Sequence, residues 1–271
     1  MSGEIFRLGK MRKAYDVNRQ RKQFCFRCMR FTEGRQMRYI FISSDLPRET
    51  ENILSFFGEC VPIPPLASLP RPVAAHPDMQ MALLGGKVII HRENKTLATI
   101  LEKRNIPYIA EPHAASDAYP GDVLLNCFEL GSLFFCSKYT SEAALAVALS
   151  AGLTPVITKQ GYAKCSCLCL HDSIITADGA IIRACAEQCV EHLHIGAGSI
   201  SIVSYDYGFI GGASGVIDDS VIFFGDINTH PDGEKIKEYI HSKGMNIICA
   251  GKDRLFDYGG LVTYKSADQT T

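Results

Sequence analysis

Tyr205 to Gly225 reads YDYGFIGGASGVIDDSVIFFG. A diglycine turn (Gly211, Gly212) leads into a short apolar strand, a polar turn (Asp218, Asp219) reverses the chain, and a second strand (Ser220 to Phe224) returns. This predicts a hairpin reached through a turn where the backbone needs glycine. Its first half recurs at Asp257-Tyr258-Gly259-Gly260-Leu261-Val262-Thr263-Tyr264 with no second half behind it. A unit therefore starts there and stays incomplete.

A steady repeat decides architecture before any single motif does. Segments like the leading strand begin at Met79, Val123, Cys167, Gly215 and Gly260, spaced by 44, 44, 48 and 45 residues. Second strands begin at Arg38, Lys87, Ser132, Ser173 and Ser220. Each is followed by apolar residues at helical spacing: Glu49 to Phe57, Lys95 to Lys103, Ser141 to Ser150, Ala180 to Leu193, and Glu234 to His241. Third strands begin at Cys60, Ile106, Leu153, Ser199 and Met245, at intervals of 46, 47, 46 and 46, the fourth running to Val203. The first unit has no leading strand of its own, and the segment from Gly260 supplies one. The expectation is an α/β fold of five ββαβ repeats, a five-bladed α/β propeller closed by the C-terminal strand so that no sheet edge is left open where the repeats begin.

The repeats resemble the pentein, or guanidino-modifying-enzyme, superfamily of arginine and agmatine deiminases, amidinotransferases and dimethylargininases. The resemblance covers Met37 to Ser266 and is nearest to an uncharacterised family with that fold. It implies a guanidinium held by carboxylates through paired, charge-assisted hydrogen bonds, a cysteine thiolate that attacks its carbon, and a histidine that moves protons. The family's Asp at the start of the second unit, usually in an Arg-Asp pair, carries over to Asp78, here in His76-Pro77-Asp78. Two other positions depart from the pattern. The Gly-rich turn that precedes the deiminase nucleophile is present at Gly259-Gly260, yet Leu261 to Lys265 contains no cysteine. The region matching the family's His-x-Asp run reads Lys164-Cys165-Ser166-Cys167-Leu168.

In a five-fold arrangement the junctions between units meet at the axis, and their polar residues form the candidate site. Gly and Pro are explained by the turns themselves, whereas His76, Asp78, Lys164 and Cys165 are not demanded by any turn. Two readings stand. In the first, the protein is a cysteine-dependent hydrolase or transferase acting on a guanidine- or amidine-like C–N bond. Cys165, His76 and Asp78 are then catalytic, with Lys164 or His76 lowering the thiol pKa. Asp78, Asn126, Lys164, Ser166, Ser214 and Asp257 bind the substrate. In the second, a non-catalytic pentein binds a small amine or a macromolecular partner at the same place. Fold alone does not choose between them.

Residues 1–36 carry ten Lys and Arg against three acids, a net of +7 that leaves −8 for the remainder. This basic N-terminal extension is read as a weakly attached, disordered arm rather than a nucleic-acid binder, and residues 37–271 as one domain. No apolar run is long enough for a transmembrane helix and no signal-peptide core is seen, so a cytoplasmic protein is expected. The eleven cysteines are odd in number and lie mostly in apolar segments, which favours reduced thiols packed as small hydrophobes. Cys25-Phe-Arg-Cys28 is a lone CxxC pair without a second pair at zinc spacing. Cys165, Cys167 and Cys169 alternate along one strand face, and Cys185, Cys189 and His192 share a helix face. Both sets read as core rather than metal ligands. No phosphate-binding loop or dinucleotide fingerprint is present, and no cofactor is expected.

Overall fold

The computed structural model describes residues 37–266, so the basic leader, its CxxC pair and residues 267–271 lie outside the described residues. Fifteen strands form five three-stranded sheets among the described residues. The first sheet orders β15 (Val262–Lys265), β1 (Arg38–Ser43) and β2 (Glu59–Ile63). The second holds β3 (Met81–Leu84), β4 (Lys87–His91) and β5 (Tyr108–Glu111), and the third β6 (Phe128–Leu130), β7 (Leu133–Ser137) and β8 (Thr154–Thr158). The fourth holds β9 (Cys167–Cys169), β10 (Ser173–Thr176) and β11 (Glu191–His194), and the fifth β12 (Ser214–Ile217), β13 (Ser220–Phe223) and β14 (Asn246–Cys249). In every sheet the middle strand runs antiparallel to the first strand and parallel to the third.

A parallel pair needs a crossover, and each sheet has a helix there: α1 (Arg48–Leu54), α3 (Lys95–Glu102), α4 (Glu142–Ser150), α5 (Gly179–Glu187) and α6 (Gly233–Ser242). A four-residue helix, α2 (Pro77–Gln80), precedes β3. Side-chain caps start three of these helices. Asn94, Ser141 and Asp178 accept from backbone N–H groups of the first turns of α3, α4 and α5, satisfying donors that a helix leaves free.

The middle strands are continuous apolar runs because both of their faces are buried. In β1, Tyr39 and Phe41 pack with β4 and α3 of the second unit, while Ile40 and Ile42 pack with Ile217 and Ile222 of the fifth. In β7, Phe134 joins the core shared with the second unit and Phe135 the core shared with the fourth. The period-two alternation of a strand thus feeds two cores at once. Strand β15 pairs with β1 in the register Arg38↔Lys265 to Phe41↔Val262, as the incomplete C-terminal unit requires.

Two expected elements lie elsewhere. Val123 to Asn126 is turn, with Asn126 N bonded to Val123 O, and the strand begins only at Phe128. Here the polar demand of the Asn126 side chain overrides the apolar run. In the fourth unit the third strand is Glu191–His194 rather than Ser199 to Val203, and α5 stops at Glu187. Cys189 takes a left-handed φ of 56°, which ends any helical path. Cys185, Cys189 and His192 therefore share no helix face. Ser201 makes only an isolated parallel bridge to Phe256. Cys165 likewise lies in the turn before β9, so the three alternating cysteines do not share a strand. Among the described residues no helix is long and apolar enough to cross a membrane.

Candidate functional site

Pro77 occupies the first helical position of α2, where its missing N–H costs nothing and its fixed φ suits the turn. This aims His76 and Asp78 inward, both buried. Gln80, on the same turn, is tied down by donating to Ala74 O and Pro64 O at 2.6 and 2.9 Å and accepting from Asn94 Nδ2 at 2.6 Å. The turn is also held from the C-terminal side. Asp78 N reaches Gly259 O at 3.4 Å. Gly259, at a φ of 78°, has no room for a Cβ, which would run into the His76 side chain.

Asn126 organises the centre. Its Oδ1 accepts from Lys164 N at 2.8 Å and Cys165 N at 3.2 Å. Its Nδ2 lies 2.9 Å from Cys165 Sγ, 3.1 Å from Asp78 O and 3.3 Å from Met79 Sδ. The Cys165 thiol in turn donates to Asp78 Oδ2 at 3.0 Å. Asp78 Oδ1 is buried with no hydrogen-bond partner. On the far side, Asp257 accepts from Phe209 N at 2.8 Å and Gly259 N at 2.9 Å, and His76 Nδ1 stands 3.7 Å from Asp257 Oδ1.

Burial dominates the electrostatics. It pushes the Asp78 carboxyl up to about 7, with the charge of Asp257 adding to the rise and the hydrogen bond from Cys165 and the charge of Lys164 opposing it. Burial also raises Asp257 and lowers His76, in each case against the attraction of the other group. The Cys165 thiol is pushed well above its ordinary value by burial first and then by the charges of Asp78 and Asp257. This corrects the expected lowering by Lys164 or His76, because burial, joined by the charges of Asp78 and Asp257, disfavours the thiolate.

The expected residues divide between three cavities. Cys165, His76 and Asp257 line a cavity of about 250 Å³ covered by Tyr162, Tyr205, Tyr207 and Phe209. Asp78 and Lys164 line a larger one of about 570 Å³, to which β3, β6, β9, β12 and β15, one strand from each sheet, all contribute. Cys165 and Asp78 touch across the wall between the two. Ser214 lines the larger cavity, with its hydroxyl already donated to Ile210 O at 2.6 Å. Ser166 faces a separate cavity of about 140 Å³, its Oγ buried without a partner. Asn126 has its amide committed to the protein. Ser166, Ser214 and Asn126 are thus not presented to the cavity of Cys165.

The aromatic cover was not singled out from the sequence. Tyr162 stacks near Phe209 (centroids 6.3 Å apart) and donates to Asp122 Oδ2 at 2.6 Å. Asp122 Oδ1 is buried without a partner. The one available signal was the density of aromatic residues in Tyr205-Asp206-Tyr207-Gly208-Phe209, beside the turn on which the fold reading rests. Among the described residues no group of three His, Cys, Asp or Glu is arranged to hold a metal ion.

Comparison with known proteins places this geometry in context. The family described as "Family of unknown function (DUF6873)" matches residues 41–262. A search of curated proteins found no match. Among solved structures, DDAH from Pseudomonas aeruginosa, a mutant complexed with citrulline, superposes with a TM-score of 0.51 at 12% identity, covering 87% of this chain and 100% of that one. The N-terminal domain of ArgZ bound to product, from an arginine dihydrolase of the cyanobacterial ornithine-ammonia cycle, gives 0.54 at 10%, covering 86% and 98%. Apo ArgZ gives 0.54 at 9%, covering 87% of this chain and 40% of that one. At these identities the likeness is one of fold, the pentein fold.

Proposed function

The chain belongs to the family of unknown function DUF6873 and has the pentein fold, and from that premise we propose that its five sheets are the blades of a closed propeller with a small-molecule site on the axis. Three observations support closure: the pairing of β15 with β1, a core shared between the first and fifth units, and a central cavity to which every sheet contributes a strand. The site takes a guanidine- or amidine-like cation, and Cys165 attacks its carbon. The observation that carries this reading is the 3.0 Å contact between Cys165 Sγ and Asp78 Oδ2 at the edge of a cavity also lined by His76 and Asp257.

The roles follow from position. Asp257, facing the cavity, pairs with the N–H fork of the cation. The arriving positive charge offsets the two carboxylates that hold the thiol proton, so that proton passes to Asp78 and the C–S bond forms at the cationic carbon. His76 carries a proton from an N–H of the adduct to the departing amine as its C–N bond breaks, then takes one from the attacking water and passes it to the adduct nitrogen. The thiolate released as the C–S bond breaks recovers its proton from Asp78. Hydrolysis thus releases an amine and regenerates the thiol.

Labelling with 2-chloroacetamidine tests the assignment. Wild-type protein is expected to be modified at Cys165, and Cys165→Ala to lose that label. Equal labelling of the two proteins removes the nucleophile. The second reading, a binder without turnover, is favoured by the upward shift of the thiol. It predicts that amidines raise the melting temperature while no ammonia or amine is released over hours.

A further inference from the structure

The cavity of Cys165 has one sign of charge. Asp257 lines its floor, Asp206 lines it from an exposed position on the Tyr205–Tyr207 segment, and among the described residues no lysine or arginine lines it. Asp122, bonded to Tyr162 behind the aromatic cover, keeps a buried carboxylate oxygen without a partner. Lys164, the basic residue adjoining Cys165, opens onto the other cavity. His76 is nine-tenths buried, opens onto the Cys165 cavity and makes no side-chain hydrogen bond among the described residues.

We infer that the ligand is a small dication without a carboxylate: a guanidine or amidine held at Asp257, joined by a short aliphatic chain to a second ammonium at Asp206 and the faces of Tyr205 and Tyr207. This rests on the reading of the cavity as a guanidine or amidine site and adds what the far end must be. An amino-acid ligand would bring a carboxylate into a space lined by Asp257 and Asp206 and, among the described residues, by no lysine or arginine to offset it. Like charges brought together without a partner discriminate strongly against the wrong ligand. An alkylammonium instead gains from aromatic faces as well as from a carboxylate. At about 250 Å³ the space lies below the ~300 Å³ where drug-sized pockets begin, which limits the ligand to a short chain.

Agmatine and L-arginine differ only in the carboxylate and serve as the probe pair. Calorimetric titration of the full chain is expected to give at least about tenfold tighter binding of agmatine than of arginine. Asp206→Asn, an exposed substitution, is expected to weaken agmatine several-fold and leave arginine unchanged or improved. Equal affinities, tighter arginine binding, or no binding of either overturns the proposal. Chloroacetamidine labelling on the same preparation reports separately on the underlying reading. If Cys165 is labelled and arginine binds as well as agmatine, the guanidine site stands and the second cation falls. If agmatine is preferred and Cys165 is not labelled, the charge selection stands and the covalent chemistry falls.

Discussion

Asp78 combines full burial, a thiol on one oxygen and nothing on the other. A carboxyl whose folded value lies above its unfolded one takes up protons on folding, so stability falls as pH rises between those values. With about 7 in the fold against an ordinary 3.8, the loss accumulates between about pH 4 and pH 7 and persists above. Asp78→Asn removes the charge and is expected to stabilise the protein at about pH 8 by as much as ~4 kcal/mol, the linkage ceiling for that difference, while the two proteins converge near pH 4. Urea titrations at the two pH values measure this. A gain at high pH together with lost chloroacetamidine labelling is the signature of a carboxylate kept for chemistry at the expense of stability. Asn126 behaves in the opposite way. Asn126→Ala strands the N–H groups of Lys164 and Cys165 in the interior and is expected to cost about 2–4 kcal/mol at any pH, read from the same titrations. Neither role is written in the sequence near these residues. His76, Asp78 and Cys165 stood out only because no turn requires them, and Asn126 presented itself as a ligand group when its amide is spent on the backbone.

The turn Asp257 to Gly260 does for the C-terminal segment what α2 does for the second unit: it brings side chains to the centre by close backbone approach. Gly259→Ala adds a Cβ against His76 at a φ of 78°. A loss of about 2–4 kcal/mol is expected, with His76 displaced from Asp257. Thermal melts and the chemical shifts of the His76 ring check the two parts. Helix α3 offers a contrast away from the cavity. Asn94 caps it and also donates to Gln80 Oε1, so Asn94→Ala should cost about 2 kcal/mol or more, beyond the ~1 typical of an exposed cap. The middle strands were legible because burial on both faces writes an uninterrupted apolar run. Strand β11, Glu-His-Leu-His, was not, since it is a sheet edge with partly exposed residues and no apolar pattern of its own. The apolar Ser199 to Val203 carries the strand-like pattern instead and makes only an isolated bridge.

The pairing of β15 with β1 makes distant parts of the chain mutually dependent. β15 supplies the antiparallel partner of β1, and Val262 and Tyr264 pack on the core between the first two units. Deleting residues 262–271 exposes an edge of β1 and one side of that core. We expect a fall in melting temperature of more than about 10 °C, taking a loss above ~3 kcal/mol at the ~2–4 °C per kcal/mol typical of this size. A cooperative melt at the wild-type temperature would show that the units hold together without the C-terminal strand.

The number of units, their ββαβ order and the need for a strand from the far end of the chain were determined by sequence alone, because repeat length and two-sided burial leave local patterns that survive in one dimension. Which side chains meet was decided by the tertiary structure. Cys165 finds Asp78 across 87 residues, and Lys164, its neighbour in sequence, opens onto a different cavity. The physical reason is that such encounters depend on how the sheets are set against one another and on which side of each junction a side chain leaves the backbone. Those quantities are fixed by packing between units, and no stretch of the chain carries them by itself.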